Sequence, residues 1–99
     1  MTIETGDIVC VRSRDAGVFV GMLAGRSGDE VALLDARRIW YWDGAASLSE
    51  LSQLGPSRPE NCKFPAAVPE ALILGVCEVL PVSEVAAEAI AAVPPWSEH

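Results

Sequence analysis

The chain has 99 residues, 51% of them hydrophobic, and a formal net charge of −7 at pH 7. This length predicts a single domain over residues 1–99. A domain this small buries only somewhat over ~60% of its unfolded surface, so self-association would add useful stability. The negative charge excludes nucleic acid polymers and anionic membranes as main partners, because both require clustered Lys and Arg.

The charges are unevenly distributed along the chain. All seven basic residues lie in residues 1–63 together with nine acidic ones, whereas residues 64–99 hold five acidic residues and no basic one. Lys63 is the only lysine. Arginine is suited to bidentate phosphate contacts and to stacking. The N-terminal two-thirds is therefore where an anionic ligand would bind, unless each arginine simply pairs with a neighbouring carboxylate.

The three cysteines form no CxxC pair, and the only histidine, His99, is terminal. Cys10 and Cys77 lie in apolar runs and are expected to be small core residues. This composition predicts no metal site and no cofactor. An odd number of cysteines without a leader sequence indicates reduced thiols in a cytoplasm.

The first forty residues are rich in β-branched residues and short polar turns. Three strands are predicted over residues 7–13, 18–23 and 30–40, joined by turns at residues 14–17 and 25–29. The first two strands are expected to form an antiparallel hairpin, which the third extends. Gly21, inside the second strand, predicts a bulge or a close approach by another group.

The remainder predicts two helices and one strand. Leucines at helical spacing indicate a helix over residues 44–54, capped by Asp43 or Ser47. A proline-rich loop over residues 55–69 follows, and then one long strand over residues 71–80 with a kink near Gly75. A second helix is expected over residues 84–92, capped by Ser83, after which Trp96 folds back onto the core or onto a neighbouring subunit.

The order of these elements is β-β-β-α-β-α with short early connections. This order predicts an α+β fold, in which an antiparallel sheet of about four to six strands carries two short helices packed against it.

Residues 37–48 hold the most unusual stretch of the chain. Two of its three Trp, its only Tyr and two arginines fall within six consecutive positions, and small residues and a helix start follow. A helix start presents free backbone N–H groups, and guanidinium and indole groups beside it suit a small anionic, aromatic ligand such as a nucleotide. Trp40 and Trp42 either stack on a base or fill the space between sheet and helix. Gly44 allows either close approach of a ligand or a tight turn.

Catalytic motifs are not found in the sequence. No internal histidine is present, no carboxylates form a recognisable pair, and no phosphate-binding glycine motif occurs. The sequence therefore predicts a protein that is not an enzyme.

Four segments of the chain together form a recognisable pattern: Val11-Arg12, residues 16–21, residues 35–48 and the Asn-Cys-Lys-Phe run at residues 61–64. In this pattern the sequence resembles a family of small phage and prophage proteins that includes the anti-Thoeris sponges, which sequester cyclic ADP-ribose signals of bacterial immunity. The resemblance covers most of the chain. Arg14-Asp15 departs from the family pattern, which has a small polar pair there, and an aspartate at this place would repel a diphosphate.

The resemblance implies an α+β homo-oligomer, with a hexamer as one expected form, that binds a nucleotide-derived signal without cleaving it in the cytoplasm of an infected bacterial host. A cyclic oligonucleotide at a separate site is also implied. Together, the resemblance and the residue pattern give twelve candidate ligand-binding residues: Arg12, Ala16, Gly17, Arg37, Arg38, Trp40, Trp42, Gly44, Ala45, Ser47, Asn61 and Phe64.

The alternative is a phage interaction or structural accessory protein without a small-molecule ligand. In that case the aromatic strand at residues 37–42 would dock a protein partner. Melting with candidate nucleotides is expected to separate the two hypotheses. Of the twelve candidates, Arg38 and Trp40 should matter for ligand binding more than for folding.

Overall fold

The computed structural model describes residues 3–97. It contains a five-stranded antiparallel sheet and two α-helices, which confirms the predicted α+β fold. The strands are β1 (Ile8–Ser13), β2 (Gly17–Ser27), β3 (Glu30–Arg38), β4 (Val68–Ile73) and β5 (Val76–Pro81). The helices are α1 (Leu48–Leu54) and α2 (Glu84–Ala91), and a 3-10 turn spans Pro59–Asn61.

Strand β2 is longer than the sequence predicts. The expected turn at residues 25–29 is wrong, because Gly25, Arg26 and Ser27 continue the pairing with β3 and only Gly28 and Asp29 form the turn. The register shifts between Leu23 and Gly25, so a bulge lets this polar segment stay in the sheet. Cross-strand pairing therefore overrides the local turn signal.

The bulge predicted at Gly21 is confirmed. The register shifts between Val20 and Met22, where two residues of β3, Asp35 and Ala36, face one residue of β2. Asp35 has a φ of 49°, a left-handed conformation that aspartate tolerates better than most residues. A Cβ at Gly21 would lie 2.9 Å from the carbonyl oxygen of Leu34, so the two strands cross too closely here for any side chain.

The single strand predicted over residues 71–80 is wrong. The chain forms two strands, β4 and β5, which pair with β3 and β1 at opposite edges of the sheet. Only Leu74 and Gly75 separate them, and Gly75 has a φ of 69°. The glycine that suggested a kink instead lets the chain leave one edge of the sheet and join the other.

This short connection closes the sheet on itself. Four strand spacings separate the edges of a flat five-stranded sheet, which is about 19 Å. Ile73 and Val76 are three residues apart, so the chain between them spans at most roughly 11 Å. The sheet must therefore curl into a barrel-like shape. The Ser13 hydroxyl donates to the Leu74 carbonyl at 2.6 Å, and the Val76 N–H donates to the Asp29 carbonyl at 2.9 Å across this seam.

Two apolar clusters lie on opposite faces of the sheet. The inner cluster fills the curled sheet and contains Val9, Val11, Phe19, Leu23, Val31, Leu33, Ala36 and Ile73. The outer cluster lies under the helices and contains Cys10, Val20, Ile39, Leu51, Cys62, Phe64, Ile90 and Val93. The alternation of Val9 and Val11 with Cys10 follows from the two-residue period of a strand that is covered on both sides.

Both helices pack against the sheet, as predicted, and both lie on its outer face. Helix α1 begins at Leu48 rather than at residue 44. Ser47 is its cap and accepts a hydrogen bond from the Glu50 N–H at 3.1 Å. Ser83 caps α2 in the same way through the N–H of Ala86. After α2 the chain folds back, and the Trp96 N–H donates to the Phe64 carbonyl at 2.9 Å.

None of the helices within residues 3–97 has the length and apolar character needed to cross a membrane.

Candidate ligand-binding site

Arg38 is the last residue of β3 and its side chain is exposed. Its guanidinium carbon lies 4.3 Å from the centroid of the Phe19 ring, directly across the β2–β3 pair. One Nη1 hydrogen donates to the Ala16 carbonyl at 2.6 Å. Arg38 makes no ion pair with any carboxylate among residues 3–97. It is therefore an exposed cation that the Ala16 carbonyl and the Phe19 ring hold in position.

A cavity of about 370 Å³ lies beside Arg38. We call it the Arg38 cavity. Its lining is apolar apart from the guanidinium group and consists of Ala16, Phe19, Ala36, Arg38, Pro65, Ala66, Val68, Ala71, Leu72 and Ile73. Its volume falls within the range of small-molecule sites.

The β1–β2 turn supplies the rim of this cavity. The Ala16 N–H donates to the Ser13 hydroxyl, which in turn donates to Leu74, so the turn is tied to the seam of the sheet. Gly17 has a φ of 91°, and a Cβ there would lie 3.8 Å from an Arg38 nitrogen. Ala16, Gly17 and Arg38, three of the twelve candidates, are thus brought together.

Arg37 points to the opposite face of β3 and is half-buried. It donates to four backbone carbonyls: Pro65 at 3.0 Å, Ile90 at 2.8 Å, Phe64 at 3.1 Å and Val93 at 2.6 Å. Burial lowers its pKa. These hydrogen bonds hold the end of α2 and the loop before β4 onto the sheet, so Arg37 is mainly structural.

Phe64, which precedes β4, and the candidates in the β3–α1 connection serve the fold. Phe64 is fully buried in the outer cluster and exposes no surface to a ligand. The Trp42 indole donates to the Ala45 carbonyl at 3.2 Å and packs at the edge of the same cluster. A Cβ on Gly44 would come within 2.6 Å of the backbone nitrogens of residues 57 and 58. The close approach at this glycine is therefore made by the protein's own backbone.

The other four candidates do not line the Arg38 cavity. Ser47 is committed as the α1 cap. Asn61 donates to the Asp43 carboxylate at 2.9 Å. Arg12 pairs with Glu78 across β1 and β5 at 3.0 Å. Trp40 is 65% exposed and does not line the Arg38 cavity. The strand predicted over residues 30–40 ends at Arg38, so Trp40 and Trp42 lie outside β3.

Two cavity-lining residues, Phe19 and Asp35, are not among the twelve candidates that the sequence gives. Phe19 lies under the Arg38 guanidinium, and its register partner could have been found only by placing the Gly21 bulge correctly. Asp35 lines a second cavity, described below, because its left-handed conformation directs it away from the regular alternation.

The cysteines differ in environment. Cys10 is buried, and burial raises the pKa of its thiol to about 12. Cys77 is exposed, which corrects its assignment to the core, and its thiol lies 3.4 Å from the Arg12 carbonyl. No group of three or more potential metal ligands occurs within residues 3–97.

These features define a small α+β protein whose curled sheet carries a cation at the mouth of an apolar cavity. A family model matches residues 6–90, and the chain belongs to that family, a domain of unknown function designated DUF6948. Comparison with curated proteins and with solved structures gives no match.

Proposed function

We propose that this protein is a non-catalytic binding protein that captures an anionic, nucleotide-derived signal at the Arg38 cavity. The observation that carries the proposal is the exposed Arg38 guanidinium, stacked on Phe19 at the mouth of the cavity. A guanidinium group without a carboxylate partner suits a phosphate, to which it donates two parallel hydrogen bonds.

The surroundings of Arg38 support the same ligand class. One face of the guanidinium group lies over Phe19, so its edge and outer face are available for a phosphate and for a stacked base. Ala16 and Gly17 present little side chain at the rim, which permits close approach to the backbone. One neighbour opposes this ligand class: the Asp15 carboxylate, exposed on the same turn, would repel a diphosphate and lower its affinity.

Cyclic ADP-ribose is the first ligand to test, because the sequence resembles the anti-Thoeris sponges. In that role the protein would act as a homo-oligomer in the cytoplasm of an infected bacterial host and would hold the signal intact. Tight, slow-releasing binding suffices for sequestration, so the proposal requires no catalytic group.

The test is the melting temperature with cyclic ADP-ribose, ADP-ribose and ADP, each compared with the same protein without ligand. A ligand at ~100 times its dissociation constant adds ~2.7 kcal/mol, which shifts the melt of a domain this small by several degrees. Arg38→Ala should abolish the shift. Arg14→Ala is the matched control, since it removes one exposed arginine from the adjacent turn, and it should keep the shift.

Arg38→Ala itself loses a hydrogen bond and a cation–π contact, together about 1–2 kcal/mol. Each variant is therefore compared with its own ligand-free melt. Equal shifts of the melting temperature in both variants would mean that the ligand does not bind at Arg38. If none of the three nucleotides shifts the wild-type melt, the proposal is rejected for this ligand class.

A second candidate function is docking of a protein partner through Trp40 and Tyr41. The observation in its favour is that these neighbouring aromatic residues are 65% and 51% exposed. An isolated antiparallel β-bridge joins the backbones of Tyr41 and Lys63 and holds this segment in place. Under this alternative, Trp40→Ala should abolish association with the partner, whereas Arg38→Ala should not.

A further inference from the structure

A second and larger cavity lies on the helical side of the sheet, between α2 and the outer face of β1–β3. It has a volume of about 500 Å³. We call it the α2 groove. The 65–67 segment separates it from the Arg38 cavity, because Ala66 contributes to both.

The α2 groove exists because its walls carry small side chains. Ala66 and Ala67 form one side, and Ala87 and Ala91 form the helical side. Gly21 lies at the base, where no side chain fits against the Leu34 carbonyl. The volume of this apolar groove falls within the range of small-molecule sites, which are mostly apolar with a few polar groups.

Two charged residues line this otherwise apolar groove. Arg37 has five N–H groups, of which four donate to carbonyls, so one Nη1 hydrogen remains uncommitted. No carboxylate among residues 3–97 forms an ion pair with Arg37 or with any other group of the groove. Asp35 is exposed and also lines the groove. The half-buried cation therefore has hydrogen-bond partners but no counter-charge.

We propose that the α2 groove binds a small apolar molecule that carries one negative charge, such as an aromatic or aliphatic carboxylate or sulfonate. The anionic group approaches Arg37, and the apolar body lies against the alanines of α2 and the 66–67 segment. Asp35 disfavours molecules with several negative charges, such as a nucleoside diphosphate. The groove therefore differs in ligand class from the Arg38 cavity, and the inference does not depend on the proposed function.

The test uses 8-anilinonaphthalene-1-sulfonate, which has an apolar aromatic body and one negative charge. Its fluorescence should rise on binding with a stoichiometry of one per chain. N-phenyl-1-naphthylamine, the neutral compound with the same aromatic body, should bind at least ~10-fold more weakly, since it cannot accept the Arg37 hydrogen bond. Equal affinity for both probes would overturn the anionic part of the proposal.

Ala91→Leu should weaken sulfonate binding at least ~10-fold, because the larger side chain fills the groove. Ala92→Leu is the matched control: the residue is the next in the chain, is exposed and does not line the groove, so binding should be unchanged. Equal binding by these two variants, or the absence of wild-type binding, would overturn the site.

Two further variants separate charge from structure. Asp35→Asn keeps a residue that tolerates the left-handed backbone and should tighten sulfonate binding several-fold. Weaker or unchanged binding would contradict the assigned repulsion. Arg38→Ala should bind the sulfonate like the wild type, and a loss there would place the probe in the other cavity.

Discussion

Arg37 and Arg38 are adjacent in the chain, but their guanidinium groups lie on opposite faces of the end of β3. Arg37 turns toward α2 and donates to four carbonyls, whereas Arg38 lies over Phe19 and stays exposed. The two-residue period of a strand imposes this division. One basic dipeptide thus serves both the cohesion of the fold and the candidate ligand site.

Arg37→Ala is expected to destabilise the protein by about 2–4 kcal/mol, because several hydrogen bonds to a charged group are lost at once. Arg37→Lys should fall between this variant and the wild type, because one ammonium group cannot reach four carbonyls in a fork geometry. Urea unfolding followed by Trp fluorescence measures both. A change below ~0.5 kcal/mol for Arg37→Ala would contradict the structural role.

Gly21→Ala is expected to cost about 1–3 kcal/mol, since its Cβ would lie 2.9 Å from the Leu34 carbonyl oxygen and must push the two strands apart. Gly25→Ala, in the same strand, is the control. A Cβ there meets no atom within 4 Å, so this change should be neutral within ~0.5 kcal/mol. Thermal unfolding of the two variants under one condition provides the comparison. Similar stabilities would mean that β2 and β3 can separate without cost at Gly21.

The fold class and the cap of α2 could be predicted because they rest on local signals. Ser83 precedes an apolar run at helical spacing, and its cap follows from that pattern. For α1 the sequence allowed Asp43 or Ser47, and the structure has Ser47. The closure of the sheet could not be predicted. A glycine in an apolar run signals a bend but not that the two halves of the run pair with different strands.

The candidate site was predicted only in part, for a related reason. Arg38, Ala16 and Gly17 do come together, but Phe64 and Gly44 are used inside the protein. A short motif with an aromatic residue or a glycine does not show whether that residue contacts a ligand or a neighbouring loop of the protein. Only the register of β2 against β3 shows that Phe19 lies under Arg38.

The cysteines should react with 5,5′-dithiobis-(2-nitrobenzoic acid) in two stages at pH 8. Cys77 is exposed and should react first, while the buried Cys10 and Cys62 should react only on unfolding. Cys77→Ser should abolish the fast stage, and Cys62→Ser should leave it intact. Fast reaction of more than one thiol per folded chain would contradict the burial.

Cys10 also predicts a pH dependence of the free energy of unfolding. Burial raises the folded-state pKa from 9.0 to about 12, so its contribution is fully present below pH 9 and is lost as the pH rises toward 12. Cys10→Ala should flatten this decline, as measured by urea unfolding between pH 8 and 10.5. An equally steep decline of the unfolding free energy in the variant would mean that other titrating groups cause the pH dependence.

Self-association is expected to use the face of β3 and β4 that the helices leave uncovered. Leu34 and Leu72 lie on these neighbouring strands at 38% and 60% exposure. Light scattering at micromolar concentration should give a mass above the monomer's 10.5 kDa. Leu72→Glu should lower that mass. Leu54→Glu, at an equally exposed leucine on α1, should not. A monomeric mass for the wild-type protein would contradict the predicted self-association.

Nucleotide bound at the Arg38 cavity should be recovered unchanged. Arg38 can stabilise a phosphate, but the lining of the cavity supplies no general base or nucleophile, and hydrolysis needs one of these to activate water or attack the ligand. Asp35, the carboxylate nearest to Arg38 in sequence, lines the α2 groove rather than this cavity. Asp15 and Glu70 are adjacent in sequence to the lining residues Ala16 and Ala71, but they are not part of the lining. The protein is incubated for hours with a tenfold excess of cyclic ADP-ribose and denatured, and the released nucleotide is analysed by chromatography beside a protein-free sample. Equal recovery in the two samples is the expected result. Conversion of more than one molecule per chain would show turnover, and the protein would then have to be an enzyme whose catalytic group lies outside the Arg38 cavity.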